Sequence, residues 1–444
     1  MNSEKNEHYP FVQGKKRKLT PPPDKWKLVF SVFILHGLGT LMPWNMFITA
    51  KSYFVDFKLD TSADEYLAVN GTSFNSTVVA DDDQFNYATN FLAYIGFAAQ
   101  VPNVIFNWLN IFVNLGGDLT QRITWSISTE VVVFIVTIAL AMVDSSSWPG
   151  GFFWITMLSV VILNMANGIY QNTVYGMAAT LPLKYTGAVV LGSNVSGLFT
   201  SVIALVSDLI FDSPRTAAIY YFITAMFILM LCFDTYFALP LNKFFRFHTE
   251  VRELKSKDDE EDSDKIPFWT IFKQASPQLF NVFFVFFVTL SVFPAVYSDI
   301  KPGTDDFIIP RNYFVSITCF LTFNLFAMLG SLTTTWIQWP SPKFLVVPVI
   351  LRVAFVPLFL FCNYQPRGII RTLPVYINSD YIYWTIAILM SYSSGYLSSL
   401  GMMYAPQSVK GKHQITAGMF AAGMLITGIF MGISVSGFMP LILT

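Results

Sequence analysis

Charge is what this chain has least of. Only 12% of its residues are Asp, Glu, Lys or Arg, against 54% hydrophobic, and a soluble domain of that composition could not cover its surface with polar groups. A water-soluble enzyme is excluded. Cysteine is nearly absent as well: Cys232, Cys319 and Cys362 are the three present, all in apolar runs. No extracellular disulfide framework is implied, and buried, inert thiols are expected. Nowhere in the apolar runs do His, Cys and carboxylates cluster as a metal or nucleophile site needs. No catalytic residue, metal or cofactor is therefore expected. A net charge of −1, with one short basic tail at Lys15, Lys16, Arg17 and Lys18, offers nucleic acid no surface. A cleavable leader is not expected either, because the segment before Trp26 is charged and Pro-rich and the first apolar run is too long for one.

What the chain has is long apolar runs. Eleven of them, at about Leu28 to Ala50, Ala88 to Ile111, Ile123 to Val143, Phe152 to Gly176, Ala188 to Phe211, Ala217 to Leu239, Leu279 to Tyr297, Tyr313 to Trp336, Phe344 to Cys362, Tyr381 to Tyr404 and Ile415 to Leu443, are each long enough to cross about 30 Å of hydrocarbon. An all-α polytopic membrane protein follows. Alternating the connections sends 19 of the 27 Lys+Arg to the face holding the N-terminus, 7 to the other, and leaves Arg352 mid-span. That bias predicts a cytosolic N-terminus and an outer C-terminus. The first loop, residues 51–87, then lies outside and carries two glycosylation acceptors, Asn70-Gly71-Thr72 and Asn75-Ser76-Thr77. These imply the secretory route and a plasma-membrane address. A third triplet, Asn194-Val195-Ser196, lies inside a span and is out of reach.

Charge also divides the chain. Residues 1–27 read as a cytosolic tail, 28–240 as a six-helix bundle, 241–278 as a charged cytosolic linker and 279–444 as a five-helix bundle. Asp258, Asp259, Glu260, Glu261, Asp262 and Asp264 crowd the linker, and 255–265 is expected to be solvated and without structure. A 6+5 split suggests two bundles rocking about a site near the membrane midplane.

Polar residues persist in some spans at helical spacing. Asn164, Asn167, Gln171 and Tyr175 form one stripe of the fourth span with Asn172 beside it. Gln100, Asn103, Asn107 and Asn110 form another in the second, and His36, Thr40 and Trp44 a third in the first. A single such amide commonly glues helix to helix. Three stripes in one bundle read instead as a wet pathway for an uncharged solute with several donors and acceptors, such as a nucleobase or a sugar. Gly192, Ser196 and Thr200, with Gly428 and Gly432, read as close-packing surfaces. Glu130, Asp234 and Arg352 are among the few ionisable groups within spans. Glu130 is expected either to pair with Arg352 or to carry a proton, and His36 to be a neutral, hydrogen-bonded imidazole.

The run Gly37-Leu38-Gly39-Thr40-Leu41-Met42-Pro43-Trp44-Asn45 resembles the first-helix motif of the equilibrative nucleoside transporters. Tyr170-Gln171, Val292-Phe293-Pro294-Ala295-Val296, Cys319-Phe320-Leu321-Thr322-Phe323-Asn324, Arg352 to Pro357, Gly395-Tyr396-Leu397 and Thr416-Ala417-Gly418 follow in the family's order, over nearly the whole chain. The resemblance implies eleven spans in a fold similar to the major facilitator arrangement. It implies a lipid-embedded monomer that moves purine and pyrimidine nucleosides, with nucleobases as an alternative cargo. Trp44 and Leu41 would wall the solute, Gln171 would hydrogen-bond the base, and Asn324 would line the cavity. Ile48, Phe293, Pro294 and Phe320 would form an outer gate. Gln100 and Asn103 fall at cavity positions that are commonly apolar in the family, with His36 and Asn167 as further polar support.

One departure stands out. Where the family usually has Asp and Arg in the eighth span, near the sugar, this chain has Ala327 and Ser331. Removing one partner alone would strand a buried charge at a cost of about 3–5 kcal/mol, whereas losing both leaves nothing unpaired. Gln100 and Asn103, with His36, are expected to replace that polarity.

Overall fold

The computed structural model describes residues 21–50, 53–59, 91–113, 118–145, 147–211, 213–258, 267–303, 307–366 and 371–443. Asn70, Asn75, the basic tail and most of the acidic run lie outside them. The described chain is helical, and each expected span meets a helix. These are α1 (Leu28–Thr49), α2 (Phe91–Phe112), α3 (Leu119–Met142), α4 (Pro149–Ala178), α5 (Leu183–Ile210) and α6 (Pro214–Ala238) in the first bundle. After the linker helix α7 (Lys243–Asp258) come α8 (Phe268–Val292), α9 (Thr322–Thr333), α10 (Val346–Phe361), α11 (Asp380–Gln407) and α12 (Gln414–Ser436). Among the described residues, eight helices are long and apolar enough to cross a membrane. The others have visible reasons to fall short: α2 carries four amides, α11 is rich in Ser and Tyr, and α10 is short and interrupted by a 3-10 turn at Arg352–Ala354.

Local chemistry sets several helix starts. The Asp24 carboxylate accepts from the Val29 and Phe30 amides at 3.2 and 3.1 Å, covering donors that a helix start leaves without intrahelical partners. Pro149 and Pro214 open α4 and α6, where a missing N–H costs nothing. Of the stretch 255–265 expected to be without structure, 255–258 is helical, as is the start of the linker. Its first part is helix α7, anchored by buried Phe244, whose ring stacks on Tyr185 with centroids 5.1 Å apart. An apolar stripe on α7 can bury itself against the bundle end, and net charge over the segment hides that stripe.

Glycines bring the helices together. A methyl on Gly192 would run into the Ile34 carbonyl, joining α1 to α5, and one on Gly395 would run into the Ala327 carbonyl, joining α9 to α11. Gly428 and Gly432 lie against the carbonyls of Phe283 and Phe287, joining α8 to α12. Without a hydrophobic drive between helices in lipid, such close backbone approach supplies the association energy.

The apolar core is asymmetric. At the ends nearest α7, hereafter the linker side, one core runs through both bundles, taking in Val29, Tyr185 and Leu239 with Ile271, Ala405 and Ala417. The second bundle also keeps cores of its own, one at the opposite, loop side around Tyr297, Cys319, Phe359 and Tyr383 and a smaller one around Leu345, Leu400 and Tyr404. A cap closes the loop-side end of the second bundle. The Arg371 guanidinium donates to the carbonyls of Leu360, Cys362, Tyr364, Leu373 and Pro374 at 2.6–3.0 Å, and Thr372 donates to Leu443 O. Cys232, Cys319 and Cys362 are buried and free, as their apolar settings require.

Candidate substrate site

The amide stripes divide into two parts with different work. Toward the linker side they are glue. Asn172 Nδ2 donates at 2.8 Å both to Asn107 Oδ1 and to Met419 O. Asn110 Nδ2 reaches Asn172 Oδ1 at 3.0 Å and Thr173 Oγ1 at 3.1 Å, while Arg122 donates to both oxygens of Asn110 at 3.1 Å. Because Met419 belongs to α12, this network ties the bundles together. Trp108 Nε1 does the same by donating to Thr427 Oγ1 at 2.9 Å. Nearby, a methyl on Gly418 would meet Tyr175 O at 2.9 Å, and one on Gly176 would meet Met419 Cγ at 2.8 Å.

Further from the linker side several amide atoms stand without partners. Both amide atoms of Asn167 and of Gln171 are buried with no hydrogen-bond partner in the protein, as are Gln100 Oε1, Asn103 Oδ1 and Asn164 Oδ1. Each such group costs about 1–3 kcal/mol if left unpaired, so this concentration across facing α2 and α4 points to a polar ligand. The two helices approach closely, since a methyl on Gly168 would meet Asn103 O at 2.8 Å. Trp44 and Leu41 on α1 are half-buried, and Trp44 packs on the core that both bundles share.

His36 and Glu130 lie elsewhere. His36 Nδ1 shares a 2.8 Å hydrogen bond with Tyr170 OH, and the Glu130 carboxyl is an electrostatic neighbour of Tyr170 and Cys232. A methyl on Gly39 would meet Cys232 Sγ at 2.8 Å and Tyr170 OH at 3.2 Å, so the group sits inside the first bundle. The Glu130–Arg352 pair is not formed. Arg352 is 2% exposed in the second bundle and donates to Thr289 Oγ1 at 2.9 Å and Met390 O at 3.4 Å. Two charges that compete for partners in sequence order can be kept apart by fold, and here each is enclosed by its own bundle.

The four positions expected to form a gate fall at the loop side. Phe293, at the end of α8 and followed by Pro294, stacks on Phe323 with centroids 3.7 Å apart and meets Phe320 edge-on at 6.0 Å. Ile48 is half-buried near the end of α1. Asn324 packs where α9 crosses α5, its amide filling the space a methyl on Gly197 would need. At the departure, Ala327 is 2% exposed and Ser331 fully buried. Ser331 Oγ donates to Gly395 O at 3.2 Å and accepts from Asn194 Nδ2 at 2.5 Å. In the sequence Asn194 stands only as part of a glycosylation triplet out of reach inside a span. Its signal was an amide three residues before Gly197, on the face of α5 that meets the other bundle.

A cleft of about 360 Å³ at the linker side is lined by Trp108, Phe112, Phe268, Trp269, Phe272 and Phe420. It presents no polar group to a hydrogen-bonding solute and is distinct from the amide cluster.

A sequence profile described as Nucleoside transporter matches residues 157–440. Equilibrative nucleoside transporter 1 of Homo sapiens is 31% identical over 93% of this chain and 96% of its own length. Equilibrative nucleoside transporter 2 of Homo sapiens is 31% identical over 94% and 97%, and equilibrative nucleoside transporter 3 of Rattus norvegicus 31% over 88% and 84%. The chain belongs to the nucleoside transporter family. This is a family of transporters, not of enzymes, and its membership accounts for the order of motifs from Gly37 to Gly418. The fold agrees with that of a major facilitator superfamily proton:xylose symporter, with a TM-score of 0.61 at 10% identity over 94% of this chain and 88% of the other. An Escherichia coli fucose:proton symporter gives 0.50 at 10% identity over 94% and 96%.

Proposed function

We propose that this member of the nucleoside transporter family is a facilitative, sodium-independent carrier that moves purine and pyrimidine nucleosides across the plasma membrane by alternating access. The observation that carries the reading is the set of buried, unpartnered amides centred on Gln171. An amide offers one heterocycle edge both a donor and an acceptor, and the Trp44 indole supplies a flat apolar wall. Gln100, Asn103 and Asn167 give the ribose side its polarity in place of the missing charged pair. The core that reaches loop-side Phe47 and Phe152 in the first bundle takes in second-bundle residues toward the linker side, such as Ile271, Ala405 and Ala417, while the loop-side residues around Tyr297 form a core apart; this supports a form closed toward the cytosol and parted toward the outside, with Ile48, Phe293, Pro294 and Phe320 at the outer rim. A solute that binds both open forms exchanges them without an energy source.

The test is uptake of radiolabelled adenosine and uridine into cells without endogenous carriers, competed by unlabelled nucleoside, in sodium-free buffer and at two pH values. Saturable flux independent of sodium and pH is expected. No flux from surface-expressed protein would overturn the proposal. The enclosed Glu130 favours one second reading, a proton-assisted carrier, which acid-stimulated uptake abolished by Glu130→Gln would establish.

A further inference from the structure

Helix α5 carries three neighbouring polar residues that point to different partners. Ser193 Oγ donates to Gly37 O at 3.1 Å and lies 3.3 Å from Thr40 Oγ1, and Ser196 Oγ accepts from Asn45 Nδ2 at 3.1 Å. Both bonds fasten α5 to α1, where the Gly192 crossing already holds the two backbones together. Helix α5 therefore moves with α1 and its Trp44. Asn194, between the two serines, reaches the other way. Its Nδ2 bonds Val190 O of its own turn at 3.1 Å and Ser331 Oγ of α9 at 2.5 Å. Ser331 is held in turn by Gly395 O of α11.

We propose that the Asn194–Ser331 hydrogen bond is an inter-bundle latch that positions the two halves in the cytosol-closed form and must break for the site to open inward. The inference rests on the alternating-access reading and adds to it a residue pair that sets the balance between the two openings. The physical case is that Asn194 hydrogen-bonds from α5 to α9 at the crossing where Gly197 meets Asn324. Residues 327 and 331 are one turn apart on α9, so a charged pair there would bond within that helix, whereas the neutral Ser331 hydroxyl is left to accept from Asn194 across the crossing in a bond that exchanges readily for water. Ala327 and Ser331 thus do more than remove charge. Ser331 supplies an acceptor that Asn194 reaches at 2.5 Å.

The experiment combines uptake kinetics with thiol labelling of Ala179→Cys, a buried position on the cytosol-side seal facing Gly418. It is read in inside-out vesicles with an impermeant maleimide, and the buried native cysteines give little background. In this protein, Asn194→Ala, Ser331→Ala and the double variant are each expected to raise the labelling rate by about 2- to 10-fold, the shift that one neutral hydrogen bond produces in a two-state equilibrium. The apparent KM for outside nucleoside should rise by a similar factor, and the double variant should match the singles rather than their sum. Ser331→Thr, which keeps the hydroxyl, should restore wild-type labelling. Unchanged labelling in folded, surface-expressed variants, or additive effects, would overturn the latch. Labelling does not depend on transport, so a response in protein that carries no nucleoside would refute the carrier reading while sustaining the latch.

Discussion

At the residue scale, each buried polar group either has a protein partner or awaits one. Gln171 has none for either amide atom, whereas its neighbour Asn172 has two acceptors for Nδ2. Gln171→Leu should therefore leave thermal stability in detergent unchanged or raised, since an unpaired amide is exchanged for an apolar group of similar shape, while nucleoside uptake per surface molecule falls at least about 10-fold. Asn172→Leu should show the reverse pattern, with a lowered melting temperature. Arg371 is the opposite kind of residue, a cation whose five carbonyl partners knit the loop-side cap. Lysine has three donors on a compact head and cannot span them. Arg371→Lys should cost about 1.5–3 kcal/mol, read as a lower melting temperature with the KM of the surviving protein unchanged.

At the scale of elements, the bundle is held by glycine crossings more than by large side chains. Gly192→Ala and Gly395→Ala would each push a methyl into a carbonyl of the facing helix. Overpacking of that kind costs about 1–3 kcal/mol or more, so both variants should lose surface expression and detergent stability. Gly96 is the internal control. Nothing lies within 4 Å of the position its Cβ would take, and Gly96→Ala should stabilise α2 by about 0.5–1 kcal/mol through helix propensity. Circular dichroism melts of the three variants side by side would separate crossing glycines from incidental ones.

At the scale of the whole molecule, one core joins the bundles at the linker side and the second bundle closes a core of its own at the loop side. Access to the amide cluster should therefore come from the loop side. A cysteine introduced as Ile48→Cys should react with an impermeant maleimide from outside the cell, and excess nucleoside should slow that reaction. Ala179→Cys, in the seal, should stay unreactive from that side. Reaction of Ala179→Cys from outside at the rate of Ile48→Cys would contradict the proposed direction of opening.

Much of this was legible in the order of residues alone. Backbone groups in lipid must pair within a segment, so runs of apolar residues dictated the helices, and the periodic amides, crossing glycines and motif from Gly37 to Asn45 marked the faces and family. What the tertiary structure decided was which polar residues meet. Asn103 and Asn107 lie on one stripe of α2, yet Asn107 accepts a bond from Asn172 and Asn103 keeps an unpaired oxygen, because α4 sets an amide against Asn107 and the bare backbone of Gly168 against Asn103. Glu130 and Arg352, the natural pair by charge, are enclosed by different bundles. Asn194, seen in the sequence as a triplet with no role, reaches Ser331 across 137 residues of chain. Helical periodicity acts within one segment and is written locally, while partnership across a bundle depends on the crossing of helices remote in sequence, which only the packed fold determines.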